Sequence, residues 1–421
     1  MKQASWFLLF GFILFSCSSG NSASTDTDMT TADVSTDSSH DLPGGDSEEE
    51  HTWQPGCVNG FCAADEDHAP DPAKPGPFPV GVKTFSFTYV GHENQTRKIV
   101  VEVWYPATEE ARDGPFESID IKALATKAVQ DKMGDLVISP IPTSTVRDAP
   151  IRTADGPYPL ILFSHGAYGI RFQNMFYTQL LASHGYVVAS PDHQDNTLYD
   201  ILLTGYNMET VVMSAFQRPG DVYELLDQML ALNSAKGGFF FQTMDADRIG
   251  ITGHSFGGFT SLLCPYEDSR FKASVPMTPS TYAIPIWGHE FKNFPIPMMM
   301  MTGKKDRTLE TDVEMSPIYE LMPAPKYYFE LHTGGHYTYT DICSLDLMVL
   351  AEELDFGDAE DALKDGCGDT NVPVETAHPL INQFAIGFFN TYLRNSVGSK
   401  VYFDAAAAAP HQDVLLYRLE E

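Results

Sequence analysis

Ile249-Gly250-Ile251-Thr252-Gly253-His254-Ser255-Phe256-Gly257-Gly258 is the stretch on which the reading of the fold turns. A short, mostly apolar run at 248–252 leads into it and a segment of helical period follows. A Gly-x-Ser-x-Gly is thereby set between a predicted strand and a predicted helix. Gly253 and Gly257 let the backbone make a strained turn without side-chain clashes, and the turn lifts the Ser255 hydroxyl above the sheet. A serine hydroxyl is a poor nucleophile until a base removes its proton. The reading therefore works outward, to a histidine and an acid later in the chain.

Other short apolar runs, at 160–163, 186–189, 273–276, 298–302 and 327–331, alternate with helix-period segments. Such runs suit strands buried on both faces, with helices as crossovers. The pattern predicts an α/β fold: a mostly parallel central sheet, helices on both faces and functional groups in loops at the carboxyl ends of the strands. Ahead of it, residues 82–90 and 98–105 alternate apolar and polar positions around the turn 91–94, an antiparallel hairpin signal. Residues 109–150 form an insertion with a helix expected near 119–132, read as surface decoration rather than a flap. The acidic segment 351–369 does not match the spacing of an EF-hand calcium loop and reads as a solvated loop. Residues 376–394 have the period of an amphipathic helix. Arg218-Pro219-Gly220-Asp221 reads as a structural helix start.

The run at 298–302 ends in Gly303-Lys304-Lys305-Asp306, which places an acid just past a strand tip. The run at 327–331 is followed by His332-Thr333-Gly334-Gly335-His336. Two glycines allow that loop to turn back over the site, which favours His336 over His332 as the base. Ser255, Asp306 and His336 follow one another in the chain order of α/β-hydrolases. His254 is expected to point elsewhere as the neighbour of Ser255, and His289 and His378 to be surface or helix-capping residues. Phe163-Ser164-His165-Gly166-Ala167-Tyr168-Gly169 offers a glycine-rich loop after an earlier strand. The backbone N–H groups of Ala167 and Phe256 are its candidate donors to a negative oxygen. Tyr168, Met277 and Trp287 are candidates to line an apolar acyl pocket. Cys264 falls on the helix face opposite Ser255 and reads as a core residue. Nothing in this chemistry calls for a metal or an organic cofactor.

The chain has 421 residues, 26 Lys+Arg against 57 Asp+Glu, and a net charge of −31. That balance argues against nucleic acid as a partner and against attraction to anionic lipid, because both need a basic surface. Thirteen acidic residues and no basic one lie between 18 and 73. Residues 1–17 read as a signal peptide. They end in a lipobox-like Leu14-Phe15-Ser16-Cys17 with Cys17 as lipid attachment site, the alternative being a plain secretory signal. Either reading exports the protein, in the first case to a bacterial envelope membrane. Residues 18–76 follow as an acidic Ser/Thr-rich tether. A Cys57–Cys62 staple is expected within it. The catalytic domain is expected over 77–398, with 399–421 as a tail. Cys343 and Cys367 are candidates for a second disulfide, leaving Cys264 free.

PLILFSHGAYGIRFQ (159–173), LLASHGYVVASPDHQDN (180–196), DRIGITGHSFGG (247–258) and GGHYTYTD (334–341) together resemble the platelet-activating-factor acetylhydrolase branch of the α/β-hydrolases. That branch has bacterial relatives near the dienelactone and polyester hydrolases. GPFPVGVKTFSF and RKIVVEVWYPA resemble the opening strands of the family. The resemblance implies Ser255 as nucleophile, Asp306 as orienting acid, His336 as base, and Ala167 and Phe256 as oxyanion-hole amides. The family pattern does not fix the substrate; a small ester or lipid, cleaved as a short-acyl ester, is the expectation. A polyester or cutinase-like hydrolase, a long-chain lipase, or a binding protein on a hydrolase fold are the rivals. Dienelactone hydrolases proper carry Cys where this chain has Ser255, which counts against that activity. Oligomeric state is left open.

Overall fold

The computed structural model describes residues 57–58, 61–62, 70–344 and 364–421. Cys17, nearly all of the tether and most of the acidic segment 351–369 lie outside the described residues. Ten strands form one sheet. They are β1 (Val80–Val90), β2 (Thr96–Pro106), β3 (Thr145–Arg147), β4 (Tyr158–Ser164) and β5 (Val187–Asp192), then β6 (Met244–His254), β7 (Phe271–Met277), β8 (Met298–Gly303), β9 (Lys326–Leu331) and β10 (Leu415–Glu420). Their spatial order is β10-β9-β8-β7-β6-β4-β5-β2-β1-β3. The block from β9 to β5 is parallel throughout, and the β1–β2 hairpin joins it antiparallel through β2. The fold is the α/β-hydrolase architecture expected from the pattern of apolar runs.

Alternate side chains of the central strands meet helices on both faces, which explains their continuous apolar runs. In β4, Ile161 and Phe163 pack with Tyr177 and Leu181 of α1 (Met175–Ser183) and with Phe384 and Phe388 of α4 (Val374–Arg394). Leu160 and Leu162 turn to the other face, against Val222, Leu225 and Leu226 of α2 (Met208–Ser234). On that side α3 (Phe256–Glu267) adds Phe259, Leu262 and Leu263 against Met298, Met300 and Tyr328. Each fully buried side chain of this kind contributes roughly 1.5–3 kcal/mol. Among the described residues no helix is long and apolar enough to cross a membrane.

Several expectations change. The 218–221 stretch does not start a helix but lies inside the 27-residue α2, with Pro219 within it and both Arg218 and Asp221 buried. The cap is Asn207, whose side chain accepts from the N–H groups of Glu209 and Thr210. The hydrogen bond a mid-helix proline removes is offset by the apolar face that α2 buries on the sheet. Residues 399–421 are not a mere tail, because β10 pairs with β9 along its whole length and closes the sheet edge. The end of the stretch read as a tether packs on the end of α1: Gly76 N–H donates to Ser183 Oγ at 2.8 Å, and Phe78 just beyond it is buried. The insertion supplies edge strand β3 beside β1 and two short helices, Ile121–Leu124 and Lys127–Met133. Cys57 and Cys62 are register partners in a small ladder, Cys343 and Cys367 form a disulfide, and Cys264 is a buried free thiol.

Candidate active site

The carboxyl ends of the parallel strands β4 to β9 lie along one edge of the sheet, and Ala167, Ser255, Phe256, Asp306 and His336 follow the ends of β4, β6, β8 and β9. Ser255 occupies the turn between β6 and α3 with φ 57° and ψ −114°, a left-handed conformation unusual for a residue with a side chain. Its N–H donates to Met277 O at 2.8 Å and its carbonyl accepts from Phe259 N–H at 3.0 Å. A Cβ on Gly257 would lie 1.8 Å from Ser164 O, and one on Gly253 would lie 2.5 Å from the same oxygen. The two glycines are therefore demanded by close approach to the end of β4; it is Ser255 itself that carries the strained φ.

Asp306 and His336 reach the same edge from β8 and β9. His336 Nδ1 lies 2.8 Å from Asp306 Oδ2. Asp306 Oδ1 accepts the N–H groups of Thr308 at 3.0 Å and Leu309 at 2.7 Å. Burial lifts the Asp306 carboxyl above its usual range, while the His336 ring and the Leu309 N–H act in the opposite direction. For His336 burial pulls the pKa down, but Asp306, with Asp365 and Glu314 behind it, pulls it up, and the net direction is upward. The His336 ring stands 4.7 Å from that of His254 and edge-on to Tyr337. Among the described residues no hydrogen bond joins Ser255 Oγ to His336. Loose geometry of this kind is common where no substrate is bound.

His254 does not point away from the site, contrary to expectation. Its Nε2 donates to His336 O at 2.9 Å, and its Nδ1 accepts from Gln173 Nε2 at 3.0 Å. Gln173 Oε1 in turn accepts the Gly166 N–H at 3.1 Å. A chain of side chains thus ties the 163–169 loop to the backbone of His336. Burial drives the His254 pKa well down, so the ring is neutral and suited to this donor–acceptor role.

His332 turns to the C-terminal segment, with Nε2 3.1 Å from Gln412 O. His289 stacks on Tyr266, and the half-buried His378 stacks on Phe176 with ring centroids 3.6 Å apart. Of the pocket candidates, Met277 is fully buried in the core on the α1–α4 face and cannot line a pocket. Tyr168 is half-buried, with its hydroxyl 3.2 Å from Asn207 O, and Trp287 packs on Phe216. Ala167 is exposed, and neither its N–H nor that of Phe256, at the first turn of α3, is bonded within the described residues.

Several residues were missed by the sequence reading. Asp365 is only 2% exposed and joins the acid loop to the histidine loop. Its Oδ2 accepts from Arg307 N–H, Thr308 N–H and Thr308 Oγ1, and its Oδ1 accepts from His336 N–H at 3.3 Å. It lies in the segment read as a solvated loop, and nothing in its spacing distinguished it from its acidic neighbours. Glu314 is also buried, and burial pushes its carboxyl up to about 7 beside Asp306 and His336. A second Ser-His-Asp array lies under the 163–169 loop. Ser164 Oγ is 2.8 Å from His193 Nε2, and His193 Nδ1 is 2.9 Å from Asp221 Oδ2. All three are sealed from solvent, at 1%, 0% and 0% exposure, so no substrate reaches that serine. Asp221 is held further by Arg97 and Tyr89. Among the described residues no group of three His, Cys, Asp or Glu is arranged to hold a metal ion.

Two family models match the chain: PET hydrolase-like over residues 153–348, and platelet-activating factor acetylhydrolase, isoform II, over residues 63–202. The chain is 22% identical to the platelet-activating factor acetylhydrolase of Cavia porcellus over 364 residues, covering 77% of this chain and 78% of the relative. It is 25% identical to cutinase est2 of Thermobifida alba over 232 residues, covering 54% and 65% of the two chains. A solved structure of a ferulic acid esterase from Streptomyces cinnamoneus shares the fold, with TM-score 0.54 and 19% identity over 82% of this chain and 97% of that one. With the parallel sheet, the strained turn at Ser255 and these matches together, the chain has the α/β-hydrolase fold and is similar to platelet-activating factor acetylhydrolases and to cutinases.

Proposed function

We propose that this protein is a serine carboxylic ester hydrolase acting on short-acyl esters. Ser255 Oγ attacks the ester carbonyl while His336 Nε2 takes its proton, and the carbonyl π electrons move to the oxygen. The N–H groups of Ala167 and Phe256 receive that oxyanion. Collapse expels the alcohol, protonated by His336, and leaves an acyl group on Ser255. Water, deprotonated by His336, then releases the acid and restores the serine. Asp306 holds the ring with Nδ1–H toward itself, so that Nε2 is the accepting nitrogen. The observation that carries this reading is the buried Asp306–His336 pair at 2.8 Å on the same strand-end edge as the positive-φ serine.

A polyester or cutinase-like activity is the second reading, because the PET hydrolase-like match spans the Ser255 turn. A panel of p-nitrophenyl esters from acetyl to dodecanoyl, run beside a polyester film, separates the two. Turnover that peaks at short chains with no film hydrolysis is expected. A long-chain optimum or release of soluble acid from the film would move the assignment to the lipase or polyester class. Export and anchoring through Cys17 belong to the same proposal. Radiolabelled palmitate is expected to enter the expressed protein and not its Cys17→Ser variant, and equal labelling of both would overturn the anchor.

A further inference from the structure

The Arg218 guanidinium is fully buried in the middle of α2, behind the 163–169 loop. Its donors reach two backbone carbonyls of that loop, His165 O and Gly166 O, the latter at 2.8 Å, and Asn196 Oδ1 at 2.7 Å. Among the described residues no carboxylate forms an ion pair with it. The nearby Asp221 is occupied by Arg97 and His193 instead. A buried cation without a partner carboxylate is costly and is kept where its field or its hydrogen bonds are used. Burial pulls its pKa down to about 9, which leaves it charged at neutral pH.

The peptide between Gly166 and Ala167 is trans, so the Gly166 C=O and the Ala167 N–H point in opposite directions from one rigid plane. Gly166 O accepts from Arg218 Nη2, from His165 Nδ1 at 2.7 Å and from Gly169 N–H at 3.1 Å. Three donors on one side fix that plane and aim the Ala167 N–H at the exposed side of the loop. A cation on the carbonyl also draws electron density from the amide and strengthens its N–H as a donor. The same guanidinium lies 4.7 Å from the Phe256 ring centroid, a cation–π contact with the residue that bears the second candidate N–H.

We infer that Arg218 is the positioning residue of the oxyanion hole, holding the Gly166–Ala167 peptide plane and placing a fixed positive charge behind the developing oxyanion. The inference rests on the ester hydrolase reading above and adds to it a residue with no direct contact to substrate.

The test compares the full chain with Arg218→Met and Arg218→Lys, each checked by thermal melting and circular dichroism. Turnover of p-nitrophenyl acetate is measured together with inhibition by an alkyl trifluoromethyl ketone, to which Ser255 adds to give a tetrahedral oxyanion. Arg218→Met is expected to lower kcat about 10²-fold with little change in KM, and to weaken the ketone by a similar factor. Arg218→Lys keeps the charge but not the planar fork, and is expected to recover part of both losses. A folded Arg218→Met with unchanged kcat and ketone inhibition overturns the inference, as does a change confined to KM. Should Arg218→Met not fold, Arg218→Lys decides: kcat and ketone affinity falling together at constant KM support the inference, and wild-type values overturn it. A wild-type chain without Ser255-dependent turnover would instead overturn the hydrolase reading itself.

Discussion

Ser255→Ala is expected to lower kcat by about 10⁶-fold, the loss seen when the nucleophile is removed from a comparable triad. The substitution is a clean one. Alanine at φ 57° meets the same backbone strain as serine, so the turn loses its hydroxyl without gaining a new conflict. The hydrogen bonds that shape the turn come from the backbone of residue 255, to Met277 O and from Phe259 N–H, and survive the change. Asp306, His336 and the candidate oxyanion donors are untouched. Residual turnover should then reflect only binding and the stabilisation of charge by the loop amides. The measurement is steady-state hydrolysis of p-nitrophenyl acetate with protein purified free of wild-type carry-over, read beside covalent labelling by a fluorophosphonate probe. Labelling that persists in Ser255→Ala, or turnover near the wild-type rate, would place the nucleophile elsewhere.

Asp306→Asn is expected to lower kcat by about 10⁴-fold at neutral pH, and its pH dependence identifies the cause. The carboxylate accepts the Nδ1 proton of His336; an amide can offer an N–H there and stabilise the other tautomer, in which Nε2 is protonated and cannot serve as base. The carboxylate also acts through its charge. Burial alone would depress the His336 pKa, and the surrounding carboxylates, Asp306 foremost, more than compensate, so in the wild type the ring gains a proton as pH falls through a value above 6.5. A protonated ring cannot accept the serine proton, so kcat/KM should fall on that acid side. Removing the charge of Asp306 should move the remaining acid limb to lower pH. Asp365 still acts on the ring in the same direction, so the shift is not to the fully desolvated value. A profile of unchanged midpoint would show that Asp306 does not set the ionisation of His336.

The local pattern of the chain was enough for the frame. Continuous apolar runs at 160–163, 298–302 and 327–331 mark strands covered on both faces, and they became β4, β8 and β9. The glycines around Ser255 mark a turn that few other residues permit, and the acid and histidine past successive strand tips are visible because a parallel sheet sends all such tips to one edge. The cap of α2 was misplaced because Pro219 looks like a first-turn residue, whereas the buried face of the helix outweighs the missing hydrogen bond.

What spacing along the chain could not convey is which distant polar atoms meet once the sheet is assembled. Met277 looked like a pocket residue until strand alternation turned its side chain into the core and left only its carbonyl at the site. Asp365 looked like one acid among many in a solvated segment, and becomes distinct only when the loops after β8 and β9 bring three backbone N–H groups to it. Arg218 looked like a helix terminus, and its place behind Gly166 depends on how α2 lies across the ends of β4 and β5. Periodicity and turn chemistry are properties of neighbours in sequence, so the chain by itself determined the sheet, its order of functional residues and the strained serine. Hydrogen bonds between buried groups far apart in sequence exist only after packing, and so the orientation of the histidine, the acids around it and the cation behind the loop were decided by the tertiary structure.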